Sequence, residues 1–328
     1  MKTSKMDRRK LPVILMLILA VSMVLAACGS GKENGGGAGQ EKRKVQIGYL
    51  PITHAAPLYI EEELGKESFE HIELELVKFG SWPDLMDALN TGRIDGASVL
   101  VELAMRAKEQ GIDLKAVALG HKDGNVIVTA PEIERTEQLR GQNFAIPHKY
   151  STHNILLYLM LKQAGMQYTD VNVIELPPAE MPAALAEKRI AGYVVAEPFG
   201  AKSVAIDKGR VLFQSEELWE DSVDCALVLR GDFISKHREA AQELVNKYLE
   251  AGKKAEQKDE EAKQILGKYM NVEDKVLELS LQWIKYDDLK LDEASYELLR
   301  TYLVEMGLSD NPPTFEDFVD NSFIEKAL

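Results

Sequence analysis

Four of the six histidines, His54, His121, His148 and His153, sit in short polar segments that close apolar runs, and Glu102 and Glu197 occupy similar places. Imidazole nitrogens with carboxylates suit several transition metals, so these six residues could form a metal site, catalytic or solute-holding. The competing reading is a scatter of surface histidines. The densest segment is His148-Lys149-Tyr150-Ser151-Thr152-His153. Pro147 ends a strand there, a helix begins near Thr152, and Ser151 or Thr152 caps it, leaving first-turn amides free for an anion. A helix terminus contributes only about 0.3–1 kcal/mol, or about 2 when partly buried, whereas micromolar binding needs about 8. Hydrogen bonds to a charged group, about 1.5–3 kcal/mol each, must supply much of the rest. His153, Lys149 and the hydroxyls of Ser151 and Thr152 are the candidates, set against a plain cap with a surface His and Lys.

Further candidates lie where other strands end. The loop Pro51 to Pro57 holds Thr53 and His54 and leads into a helix, so its amides can face an anion; two prolines make a rigid turn the alternative. Ser81 reads as a helix cap, and Trp82 beside it as either a water-excluding wall or a packing residue. Asn125 offers an amide donor. Glu102, if it points inward, would repel an anion and call for a zwitterion, a cation or a metal. Cys225 reads as a small buried hydrophobe. There is no G-x-S-x-G elbow, P-loop or H-E-x-x-H, so neither an enzyme nor a cofactor is expected.

Alternating strands and helices must place these residues. Strands are predicted over 45–50, 72–77, 97–100, 114–119, 126–129, 144–146, 171–176, 192–196, 211–213 and 226–229, with helices between. Helical periods over 236–254, 260–269, 274–286 and 293–306 follow. The alternation predicts parallel α/β sheets in two halves with a helical C-terminal tail, and ligands in such sheets bind beyond the carboxyl ends of the strands. Lobe 1 is expected over 44–130 plus 231–328 and lobe 2 over 131–230, with hinges near Thr129-Ala130-Pro131 and Leu229-Arg230-Gly231.

The first residues address the chain. Lys2, Lys5, Arg8, Arg9 and Lys10 precede a short apolar run, Leu11 to Val24, too short for a comfortable membrane span. Leu25-Ala26-Ala27-Cys28 resembles a bacterial lipobox, which makes 1–27 a signal peptide and Cys28 the lipidation site. Residues 28–43 read as a Gly-rich flexible tether. The net charge of −14 argues against nucleic acid. With Cys28 used by the anchor, Cys225 is alone, which excludes an intramolecular disulfide and a Cys-based zinc cluster.

Three landmarks carry a family likeness. Gly48-Tyr49-Leu50-Pro51-Ile52-Thr53-His54-Ala55-Ala56-Pro57-Leu58 resembles the opening of the nitrate, sulfonate and taurine family of solute-binding proteins. Tyr150-Ser151-Thr152-His153-Asn154-Ile155-Leu156-Leu157-Tyr158 is similar to a landmark of its nitrate-binding branch. Leu176-Pro177-Pro178-Ala179-Glu180-Met181 and Ala196-Glu197-Pro198-Phe199 complete a third. The resemblance implies a two-lobed type II clamshell, a small and anionic solute and an ABC permease as partner; the lipobox adds a lipid anchor on the extracytoplasmic face, and a monomer is expected. The resemblance also implies that Trp82 and His153 line the ligand site, that a polar residue such as Asn125 lies near it, and that Glu197 faces the cleft. That branch carries a Lys near Asp224-Cys225 where this chain has none, which counts against nitrate itself. Bicarbonate, a sulfonate and a pyrimidine-like ring stay open. Related pyrimidine-precursor synthases use a Cys-rich iron site, which a lone Cys225 cannot form.

Overall fold

Residues 42–327 are described by the structure, a computed structural model. The leader, the lipobox with Cys28 and most of the tether lie outside them. The chain opens with β1 (Arg43–Tyr49), α1 (Ala56–Gly65), β2 (Ile72–Lys78), α2 (Trp82–Asn90), β3 (Gly96–Leu100), α3 (Val101–Glu109) and β4 (Leu114–Leu119). After a two-residue β5 (Lys122–Asp123) come β6 (Asn125–Thr129), β7 (Asn143–Ile146), α4 (Thr152–Gln163), β8 (Asn172–Glu175), α5 (Met181–Ala186), β9 (Gly192–Ala196), α6 (Phe199–Ala205), β10 (Arg210–Gln214) and β11 (Cys225–Arg230). The tail holds α7 (Gly231–Lys236), α8 (Arg238–Gln257), α9 (Glu260–Met270), α10 (Asp274–Ser280), β12 (Ile284–Lys285), α11 (Glu293–Glu305), α12 (Phe315–Phe318) and α13 (Ser322–Ala327).

Two five-stranded sheets form the two lobes of a periplasmic-binding-protein clamshell, in the orders β2-β1-β3-β11-β4 and β10-β6-β9-β7-β8. The central strands β3, β6 and β9 are buried along their whole lengths because helices cover both faces. The edge strand β2 alternates instead, burying Ile72 and Leu74 and turning Glu73 to water. Ser81 caps α2 by accepting the Asp84 N–H, and Ser151 caps α4 by accepting that of Asn154. Gly96 allows the closest strand approach, since a Cβ there would lie 2.5 Å from Leu229 and 2.7 Å from the Val228 carbonyl.

The structure departs from the sequence expectations in three places. Both sheets are mixed, not parallel: β11 runs antiparallel to β3 and β4, and β6 antiparallel to β9 and β10. Alternation cannot detect this, because β6 and β11 follow directly on a crossing between the sheets instead of a covering helix. For the same reason the chain crosses over residues 120–124 and 215–224, ahead of β6 and β11, and not at Thr129–Pro131 and Leu229–Gly231. Finally, the helical period over 274–286 stops at Ser280, and the chain turns into β12, which pairs antiparallel with β5 at the first crossing. The tail thereby touches both lobes: α8 lies against α1, and α10 against α6. Among the described residues no helix is long and apolar enough to cross a membrane.

Candidate functional site

Every element ends its useful work at one edge of its sheet. His54 stands in a 3₁₀ turn, Thr53–Ala55, between β1 and α1. Glu102 is in the first turn of α3, just beyond β3, and His121 follows β4 by two residues. Because β11 is antiparallel, its start lies at the carboxyl ends of its neighbours. The Asp224 carbonyl accepts the Val101 N–H and that of Cys225 accepts the Gly120 N–H, both at 2.8 Å, fixing Asp224 between Glu102 and His121. From the second sheet come Asn125 at the start of β6, Thr152 and His153 at the start of α4, and Glu197 after β9.

These residues meet around the Asp224 carboxylate. Its Oδ2 lies 2.9 Å from His54 Nδ1 and 3.5 Å from His121 Nε2, and accepts a hydrogen bond from Asn125 Nδ2 at 3.0 Å. Its Oδ1 lies 3.8 Å from His153 Nδ1. The His54 and His121 rings stack with centroids 3.5 Å apart. His121 Nδ1 is 2.7 Å from the Asp123 carbonyl, which can only accept, so Nδ1 carries a proton and, in a neutral ring, Nε2 turns its lone pair toward Asp224. Thr152 Oγ1 contacts both Glu102 Oε1 and the Val223 carbonyl. A carbonyl takes the hydroxyl proton, so Glu102 must be the protonated partner that donates to Thr152.

Burial governs the charges. It pushes Glu102 up to about 8, helped by the negative charge of Asp224. It drives His54 down to about 4, with His121 adding to the effect and Asp224 opposing it, and it lowers His153 as well. Burial also opposes the charge on Asp224, yet His153, His121 and His54 hold that carboxyl well below its ordinary value. These directions conflict: His54 and His153, which would keep Asp224 ionised, are themselves driven toward the neutral form. A buried carboxylate facing ring lone pairs is short of positive charge, and among the described residues no Lys or Arg pairs with it. The Cys225 thiol is pushed well up by burial and by Asp224.

Several buried polar atoms of the cluster have no hydrogen-bond partner: Glu102 Oε2, His121 Nε2, both nitrogens of His153, Asn125 Oδ1 and Asp224 Oδ1. His54 Nδ1 belongs with them, being close to Asp224 but not aligned for a hydrogen bond. Each such atom costs about 1–3 kcal/mol, so their concentration at one point needs an explanation.

Of the residues singled out in the sequence, the structure brings together His54, Asn125, Thr152 and His153, and with them Glu102 and His121. Thr53 and Glu197 form a neighbouring link between the lobes, where the Glu197 carbonyl accepts the Thr53 N–H at 2.8 Å and its hydroxyl at 3.1 Å. The Glu197 side chain is buried, accepts the Ala201 N–H at 2.8 Å through Oε2, and is pushed up to about 7 by that burial. Ser151 spends its hydroxyl on the His148 carbonyl and the cap. His148 stays outside the cluster and accepts the Tyr150 N–H at 3.0 Å. Lys149 is exposed, its ammonium 5.2 Å from the Tyr150 ring centre. Trp82 is buried at the start of α2, and its indole N–H bonds to no member of the cluster. The residue missed is Asp224, the hub. Its position was conspicuous for lacking a Lys, and the signal was the acid standing in its place.

The profile of the NMT1-like family matches residues 38–269. This chain belongs to the NMT1-like family. Among solved structures, the ligand-binding component of an ABC-type import system from Staphylococcus aureus, determined with zinc bound, is 42% identical; the match covers 88% of this chain and 99% of that one, with a TM-score of 0.84. The periplasmic aliphatic sulphonate binding protein SsuA of Escherichia coli shares the fold at 22% identity, covering 83% of this chain and 95% of that one, with a TM-score of 0.68. The nitrate/nitrite binding protein NrtA of a Nostoc species is 28% identical over 269 residues, 71% of this chain and 59% of that protein. The chain spans 35% and 59% of the length of the first two curated relatives it matches.

Proposed function

We propose that this chain is the solute-capturing component of an ABC-type importer, tethered through a lipid on Cys28 to the extracytoplasmic face of the membrane and acting as a single copy. Its two lobes close on a small guest at the Asp224 cluster, and the closed form is what the permease receives. One observation carries the reading: unpartnered buried polar atoms from both lobes converge on one point beyond the strand ends. The import-system relative from Staphylococcus aureus supports the transport role. Binding, not catalysis, is what the cluster supports, since it has no activated nucleophile: Cys225 is held as a thiol. An anion of the nitrate or sulfonate kind would need protonated imidazoles or a cation beside it, because the carboxyl groups at hand, Asp224, Glu102 and Glu197, offer it no positive charge.

A thermal-shift screen of the purified protein with nitrate, bicarbonate, taurine, aliphatic sulfonates and divalent metal ions tests this. At least one should raise the melting temperature of the wild type, much less that of His153→Ala, and equally that of Lys149→Ala. A screen in which nothing at millimolar concentration stabilises the wild type refutes the reading. Cys28→Ala should move the protein from the membrane fraction to the medium; retention would refute the anchor.

A further inference from the structure

We propose that the guest of this cluster is a single divalent transition-metal ion of the zinc class, held by His54 Nδ1, His121 Nε2, His153 Nδ1 and the Asp224 carboxylate. This rests on the cluster being the capture site. Donor spacing decides the ligand class. Zinc bonds nitrogen and oxygen at about 2.0–2.1 Å in a tetrahedron, which sets neighbouring donors about 3.3 Å apart. The distances from Asp224 to His54, His121 and His153 are 2.9, 3.5 and 3.8 Å, on either side of that value. The donor atoms of His54, His121, Asp224 and Cys225 all lie within 4.8 Å of one another, whereas His153 stands farther out, 3.8 Å from Asp224 Oδ1 with its ring centre 6.5 Å from that of His54, and closes on the ion from the second lobe. An oxyanion hydrogen-bonded from two sides needs its donors about 5 Å or more apart, given bonds of about 2.8 Å on each side.

Lone-pair direction agrees. His121 is held by the Asp123 carbonyl so that Nε2 faces a carboxylate oxygen, an arrangement repulsive unless a cation lies between. Metal-bound histidines are commonly oriented in this way, by a backbone carbonyl on the other ring nitrogen. His54 is placed likewise, with Nε2 3.4 Å from the Gly124 carbonyl and Nδ1 turned to Asp224. The alternative source of positive charge, protonated imidazoles, would stack two cations 3.5 Å apart in a buried site. Three imidazoles and one carboxylate select zinc, cobalt or nickel over calcium and magnesium, which take oxygen. His54 comes from the first lobe, His121 and Asp224 from the two crossings beside it, and His153 from the second lobe, so the ion itself joins the lobes. Among the described residues, Cys225, next to Asp224 and equally buried, is the alternative fourth donor.

The test uses the full-length protein, stripped with a chelator and titrated with Zn²⁺ and Co²⁺ by calorimetry and absorption. One equivalent should bind, with the intense visible bands of tetrahedral Co²⁺ and no thiolate charge-transfer band. His121→Ala and His153→Ala should each weaken binding by about 100-fold or more, whereas Cys225→Ser should leave it within about 2-fold. His121→Gln, which keeps much of the volume, guards against a variant that does not fold, and the melting temperature of each metal-free variant shows that it has folded. Absence of stoichiometric metal in the wild type, or unchanged affinity in folded His121→Gln and His153→Ala, overturns the proposal. If metal fails while an anion or organic solute stabilises the wild type through His153, the capture site stands and only the metal falls; if neither binds, both fall.

Discussion

Glu197 links the stability of the fold to pH. Its carboxyl is fully buried, with the Ala201 N–H at 2.8 Å and the Ser280 hydroxyl at 3.5 Å on Oε2, and nothing on Oε1. That is too little to replace the water a carboxylate loses, so burial raises it from 4.5 to about 7. Between these values the folded chain keeps a proton that the unfolded chain has released, so stability falls as pH rises. The Glu197 contribution is whole below about pH 4.5 and lost above about pH 7. At about 1.4 kcal/mol per pH unit, the gap between 4.5 and about 7 corresponds to about 3 kcal/mol. Glu197→Gln keeps an acceptor for Ala201 and removes the titration. Its unfolding free energy, from urea titrations of metal-free protein at about pH 5, 6, 7 and 8, should therefore gain on the wild type by about 2.5 kcal/mol across the series, the remainder falling below about pH 5. Other titrating groups cancel in the difference. Two parallel curves, with a wild-type-to-variant offset that does not change with pH, would show that Glu197 ionises as an ordinary carboxyl and that the desolvation argument is wrong.

Thr152→Val keeps the shape but strands the Val223 carbonyl and the Glu102 acid, and should lower stability by about 1–3 kcal/mol in the same urea assay. Lys149→Ala should change neither stability, within about 0.5 kcal/mol, nor metal affinity by calorimetry, because the side chain is exposed and paired only with a ring face. Gly124→Ala should destabilise the fold by more than 1 kcal/mol in thermal unfolding: its φ is +83° and the added Cβ would stand 2.8 Å from Ile284. The same variant should weaken metal binding, since the Asp123 and Gly124 carbonyls beside it orient His121 and His54.

The landmarks legible in the sequence were those with a local cause. Pro51 and Pro57 bracket the His54 turn, Ser81 and Ser151 cap the helices expected of them, and both capped helices begin where the sequence places them. His54 and His153 could be marked as candidates because each stands where an apolar run stops. Lys149 stood among the candidates with His153 four residues later, but charge and proximity in sequence do not say which way a side chain turns. At the first turn of α4, Thr152 and His153 face the other lobe while Lys149 stands in water.

What the sequence determined by itself is the set of elements, their capped ends and the presence of polar groups at strand ends, because these depend on contacts within a few residues. What only the tertiary structure decided is which of those ends share a point. Asp224 reads in the chain as an acid before a strand. It becomes the centre of a site because β11 enters antiparallel between β3 and β4, a pairing set by contacts more than 100 residues apart, and because β12 from the tail pins the turn whose carbonyls aim two imidazoles at it. A local period carries no information about such long-range register, whereas the electrostatics of a buried carboxylate among neutral rings depend on it entirely.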